Sequence, residues 1–185
     1  MSQISASSMP QASTFAEVET DSFRAAMRQL AGGVAVITVG KGSDITGFTA
    51  TSVSSLCAGP PRLLVCVTQS SDSWRALQRH PYFGVNLLRN EEHALADRFA
   101  GRDGLEGTAR YAGTRWTTML TDTAVLENAL AAFDCEVTEM LPRYDHAIII
   151  GRVCALRASA GSFPLVYWQG GYHPFERAIV NPGDR

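Results

Sequence analysis

Apolar residues along this chain fall mostly into short β-rich runs divided by Gly, Pro and Ser, and three stretches carry a helical spacing instead. In TDSFRAAMRQLAGG, Phe23, Met27 and Leu30 recur at helical steps, with Thr20 or Asp21 as the N-cap and Gly32-Gly33 as the stop. The spacing predicts one amphipathic helix. SDSWRALQRHP runs from a Ser or Asp cap to a Pro stop, and NEEHALADRFAG sets Asn90 before Glu91 and Glu92 with Leu95 and Phe99 on one face. Both predict short helices. The runs VAVITVG (34–40), RLLVCV (62–67), YFGVNLL (82–88), FDCEVTEML (133–141), HAIIIGRVCALRA (146–158) and PLVYWQGGY (164–172) predict strands. Period-two alternation is clearest at Phe133, Cys135 and Val137.

Many short strands with helices at the margins predict a mainly β fold, a β-barrel or sandwich with flanking helices, and not a doubly wound α/β sheet. Gly40, Gly42 and Gly47 match neither the dinucleotide spacing G-x-G-x-x-G nor the P-loop. Any nucleotide cofactor must be held another way.

Composition narrows the picture. At 185 residues and 45% apolar content, one domain is expected, over residues 20–185, after a disordered lead-in at 1–19 rich in Ser, Gln and Ala. The lead-in has neither a basic n-region nor an apolar h-region, and apolar runs such as 147–150 are far short of the roughly 20 residues that span a bilayer. A cytoplasmic protein with no membrane partner is expected. The net charge is −2, with no basic block, so nucleic acid is not an expected partner. Cys57, Cys66, Cys135 and Cys154 stand singly, with no Cys-x-x-Cys pair and no His at ligand spacing, which predicts buried free thiols and no metal site.

The stretch DITGFTATSVSSLCAGPPRLLVCV (44–67) places small hydroxylic residues beside glycine between two strand-like runs. Such backbone lets a ligand approach closely and offers N–H and hydroxyl donors together, which suits phosphates, ribityl chains and flavin carbonyls. Composition alone also fits an edge strand and turn ending at Pro60-Pro61.

Five motifs in order carry a resemblance over nearly the whole chain. GFTATSVSSLCAGPP, FGVNLL, ALADRFAG, DHAIIIGRV and PLVYWQGGY resemble the short-chain flavin reductases, with the FMN-binding split β-barrel. The resemblance implies a homodimer with flavin sites largely across the dimer interface. It implies that Thr49, Ala50, Thr51 and Ser52 line the flavin ring and ribityl chain, with Ser55 near the phosphate end. Gln69, Ser71 and Phe99 match positions that contact flavin, and Arg110 sits where some relatives carry a basic residue that meets phosphate. His146 is implied to lie near the bound nicotinamide, with Asp145 either orienting its imidazole or capping the turn. Tyr172 is implied at the flavin or nicotinamide face, against packing beneath the last strand. Two departures stand out: Cys57 in place of a second Ser, and Thr68-Gln69 where relatives often have Asn-Arg.

Hydride transfer from nicotinamide C4 to flavin N5 asks for stacking, orientation and electrostatics, not for a protein nucleophile. The lack of a Ser-His-Asp set or G-x-S-x-G elbow is consistent with that. The expected activity is an NAD(P)H:flavin oxidoreductase using NADH or NADPH and FMN or FAD, which supplies reduced flavin to a separate monooxygenase. The alternatives are a flavoprotein reducing ferric iron or quinone, and a flavin-binding module without turnover.

Overall fold

The computed structural model describes residues 15–159 and 161–175; residues 1–14 of the expected lead-in lie outside them. In chain order the elements are α1 (Thr20–Met27), β1 (Gly32–Gly33), β2 (Ala35–Val39), β3 (Thr46–Ala50), β4 (Ser54–Ala58), β5 (Pro61–Thr68), α2 (Asp72–Leu77) and β6 (Tyr82–Leu87). There follow α3 (His93–Phe99), β7 (Trp116–Thr117), β8 (Val125–Leu126), β9 (Ala131–Arg143), β10 (His146–Ala158), β11 (Leu165–Trp168) and β12 (Gly171–Pro174). No described helix is long and apolar enough to cross a membrane.

Seven strands form one antiparallel sheet in the order β3-β2-β6-β9-β10-β5-β4, and β1-β11-β12 form a second, small one. Laid flat, six strand spacings would put the two edges of the large sheet about 29 Å apart. The edge strands β3 and β4 are joined by Thr51–Val53 alone, and the four Cα steps from Ala50 to Ser54 reach at most about 14 Å. The sheet therefore has to curl until its edges meet. The expected barrel closure is absent: among the described residues β3 and β4 share no ladder, so the sheet is curled but open.

Curling creates two apolar compartments. Ala35, Ile37 and Val39 of β2 join Val65, Val67, Phe83, Ile149 and α2's Trp74 and Leu77 inside the curl. Val34 and Val36, pointing the other way, pack with Leu88, Phe99 and Leu126 under α3. Thus β2 is buried on both faces, which explains a run that is apolar except for Thr38, whose hydroxyl donates to Ala124 O at 2.5 Å.

Several expectations need correction. The first helix ends at Met27 and buries no residue, its N-cap is Glu19, and Gly32-Gly33 belong to a strand that pairs with Tyr167 and Val166. Gly32 packs closely on the crossing segment, where a Cβ would stand 3.2 Å from the Thr51 Cβ. Helix α3 starts at His93, not beside Asn90, because the Glu92 carboxylate accepts the Arg89 N–H at 2.8 Å and turns the chain there. PLVYWQGGY is a hairpin of β11 and β12, turning at Gln169-Gly170, and not one strand. All four thiols are free but only Cys135 is buried, where the apolar surroundings push its pKa up; Cys57 is exposed.

Candidate functional site

Thr51, Ser52 and Val53 belong to no ladder, and they cross from one sheet edge to the other. Ser52 Oγ accepts the Cys66 N–H at 3.2 Å and so ties this crossing to the middle of β5. On its other side, Thr49 and Thr51 face a cleft of about 190 Å³ with Val34, Arg102, Tyr167 and Tyr172. Thr49 Oγ1 donates to Ala96 O of α3 at 2.6 Å, which leaves its lone pairs as acceptors in the cleft. Thr51 and Tyr167 continue the cleft into a groove of about 610 Å³ between α1 and the small sheet, lined by Met27, Leu30, Val53 and Trp168. A small cleft edged by hydroxyls thus opens into a larger groove of similar, mainly apolar character.

Beyond Cys66 on the same face of β5 stands Thr68, two residues and about 7 Å along. Thr68 is paired across the ladder with His146 at the start of β10. His146 Nδ1 lies 2.8 Å from Asp145 Oδ1, and Nε2 lies 3.2 Å from Thr68 Oγ1. A carboxylate accepts, so Nδ1 carries the proton and points at Asp145, while Nε2 shares a hydrogen bond with the Thr68 hydroxyl. The hydrogen bond from His146 and its charge hold the Asp145 carboxyl below the usual carboxylate range. Asp145 therefore orients the imidazole. Gln69 clamps the turn behind it, with Nε2 donating to Tyr144 O at 2.9 Å and His146 O at 2.7 Å. Those bonds brace Tyr144, a bulky residue held at φ 54°.

Residues 27–176 match the family model described as "Flavin reductase like domain". The chain belongs to the flavin reductase-like family. It is accordingly an oxidoreductase of the flavin reductase kind. It is 35% identical over 172 residues to a protein of Pantoea ananatis named FMN reductase (NADH) RutF, covering 93% of this chain and 90% of that one. Among solved structures it resembles a flavin reductase domain protein from Arthrobacter sp. FB24 with 31% identity and a TM-score of 0.74, over 86% of this chain and 99% of that one. It also resembles a homologue of nitrilotriacetate monooxygenase component B from Mycobacterium thermoresistibile, with 28% identity and a TM-score of 0.77, over 84% of this chain and 86% of that one.

Within this flavin reductase chain the expected site residues divide into four groups. Thr49, Thr51 and Tyr172 line one cleft, while Ser52, Gln69 and His146 lie along β5 and the hairpin turn beside it. Ser55 is exposed on edge strand β4. The remaining side chains are engaged in the fold. Phe99 is 1% exposed, its ring packed 5.1 Å from Tyr111 and 5.7 Å from Trp116, so it offers no face to a ligand. Ala50 sits in the core. Ser71 caps α2, accepting the Trp74 N–H at 3.1 Å. Arg110 donates from Nε to Leu105 O and from Nη1 to Gly47 O, both at 2.7 Å, so its guanidinium braces a loop.

Sequence reasoning missed Arg102 and Tyr167. Arg102 directly follows the RFAG motif, but its place in the cleft depends on Gly101, whose φ of 76° turns the chain back after α3. Arg102 Cζ then sits 5.6 Å from the centroid of the Tyr172 ring, and Nη1 bonds Asp97 Oδ1 at 2.5 Å.

Proposed function

We propose that this chain transfers a hydride from NADH to FMN and delivers reduced flavin to a separate monooxygenase, acting as a homodimer. The observation that carries the reading is the crossing at Thr51–Val53. It sets the hydroxyl-edged Thr49–Thr51–Tyr172 cleft on one side and the Thr68–His146–Asp145 row on the other, within one continuous run of chain and sheet. The donor set fits a flavin: hydroxyls and a guanidinium for a carbonyl edge, and an apolar groove for the flat ring. Bound flavin would supply the electron sink. The chain's own residues would do the rest: the cleft orients the ring, and His146, fixed from both ring nitrogens, positions the nicotinamide.

The names of the relatives support the finer points. FMN and NADH follow the name of the Pantoea protein, and the monooxygenase partner follows that of the component B homologue. A dimer is supported by the exposed apolar residues Phe23, Met27, Leu30 and Leu56, together with the wholly exposed edge strand β4.

The test is NADH absorbance with purified protein and added FMN, FAD or no flavin, repeated with NADPH. Flavin-dependent oxidation is expected, fastest with NADH and FMN. Flavin binding without oxidation by either nicotinamide would overturn the reductase reading in favour of a binding module. His146→Ala should raise the KM for NADH while the Kd for flavin holds; equal loss of both would remove His146 from the nicotinamide.

A further inference from the structure

We infer that Arg102 holds the carbonyl edge of the flavin ring in the Thr49–Thr51–Tyr172 cleft and carries the negative charge the ring gains on reduction. This rests on the flavin reading above and goes beyond it by naming which part of the ligand the cleft takes. At about 190 Å³ the cleft admits one heterocycle edge and not a whole tricycle, while its continuation past Thr51 and Tyr167 has room for the remainder. Its polar groups are hydroxyls and one guanidinium over an apolar floor of Val34 and Ala100, which complements a ring edge of alternating carbonyls and nitrogens.

The protonation of the cleft supports this. Burial, and the neighbouring Asp97 charge, push the Tyr172 phenol up to about 12, so it stays a neutral donor at physiological pH. Arg102 gives Nη1 to Asp97 and also engages the Tyr167 hydroxyl, and with five N–H groups the guanidinium keeps donors for a ligand. The alternative cation, Arg110, does not line this cleft, and it braces a loop through Leu105 O and Gly47 O.

In the reaction the nicotinamide C4–H bond breaks and a flavin N5–H bond forms, so two electrons and one proton pass to the flavin and the nicotinamide leaves as the oxidised pyridinium. The flavin gains net negative charge, which spreads over N1 and the C2 carbonyl. A fixed cation at that edge stabilises the product more than the reactant. Asp97, bonded to the same guanidinium, opposes the effect. The two residues therefore act with opposite sign.

The test combines the affinities of FMN and riboflavin, read by flavin fluorescence quenching, with the midpoint potential of bound FMN. Arg102→Met should weaken FMN and riboflavin alike, roughly tenfold, because the contact is to the ring they share. It should weaken the reduced form about tenfold more, which lowers the potential by about 30 mV for a two-electron couple. Arg102→Lys should keep most of that potential by keeping the charge. Asp97→Asn should raise the potential. A loss confined to FMN would place Arg102 at the phosphate and overturn the proposal, as would an unchanged potential in Arg102→Met. A wild-type chain that binds neither flavin would overturn the flavin reading itself, an outcome distinct from both.

Discussion

Asn86 offers a severe test of the packing that supports α3 and the cleft. It is wholly buried, its Nδ2 donates to Val36 O at 3.0 Å, and its Oδ1 accepts the Leu126 N–H at 2.6 Å. In the β7–β8 pair Glu127 N donates to Arg115 O, so by the alternation of an antiparallel ladder the Leu126 N–H points away from β7. Asn86 is its partner. Asn86→Ala orphans that N–H at a cost of about 1–3 kcal/mol, and a void the size of the carboxamide adds about 1 kcal/mol if it stays unfilled. The expected loss is roughly 2–4 kcal/mol out of a typical 5–15 kcal/mol, or about 4–16 °C in Tm for a chain of this length. Urea unfolding followed by far-ultraviolet circular dichroism measures it. Asn86→Asp sharpens the case, because the acceptor for Leu126 stays while the donor to Val36 goes. Burial raises the pKa of the introduced carboxyl, so its stability relative to wild type is greatest below the unfolded value near 4 and falls as pH rises through the folded value. A loss under about 0.5 kcal/mol in Asn86→Ala, or a pH-independent loss in Asn86→Asp, would refute this accounting.

Gly151→Ala should destabilise by about 1–3 kcal/mol in the same assay, because an added Cβ stands 2.4 Å from Cζ of Phe83, a ring with 0% exposure and no room to retreat; wild-type stability would show that β10 can shift. Asp44 is held at about 2 by hydrogen bonds from Arg79 at 2.7 Å and His80 at 2.6 Å. Its folded value is lowered, so its contribution is present above the unfolded value of 3.8 and is lost as pH falls from there towards about 2. Asp44→Asn should flatten that acid limb of an unfolding curve, and an unaltered limb would remove Asp44 from the linkage.

The strand and helix pattern was legible because β-rich runs and punctuation are local properties. HAIIIGRVCALRA reads as β10 over its full span. Local signals failed where long-range pairing decided the outcome. Gly32-Gly33 looked like a helix stop, yet the pair is held as strand by Tyr167 and Val166, more than a hundred residues away. For the site, residue type alone could not separate a contact from a brace. Ser71, Phe99 and Arg110 are the right types for a flavin site, but each is engaged by a nearby fold requirement: a cap, a core and a loop. Asp145 next to His146 was readable, since adjacent residues at a tight hairpin need no distant information. Arg102 was not, because its position depends on how the chain turns at Gly101 relative to a hairpin about 70 residues on.

The candidate site lies where the sheet fails to close, and this follows from the geometry of closure. A curled sheet without a ladder between its edge strands leaves the crossing segment outside regular pairing, so its backbone is free of ladder partners. Residues 49–52 then alternate between two surroundings. Thr49 and Thr51 point to α3 and the small sheet, whereas Ala50 fills the core and Ser52 is stitched to β5. Two contacts constrain the stretch from behind: a Cβ at Gly32 would stand 3.2 Å from the Thr51 Cβ, and a Cβ at Gly47, two residues before Thr49, would meet Ile37 O at 2.4 Å. The small residues that made the 44–67 stretch look like a ligand cradle therefore serve two ends. Close packing of the crossing demands them, and that same packing holds the hydroxyls rigid against whatever occupies the cleft.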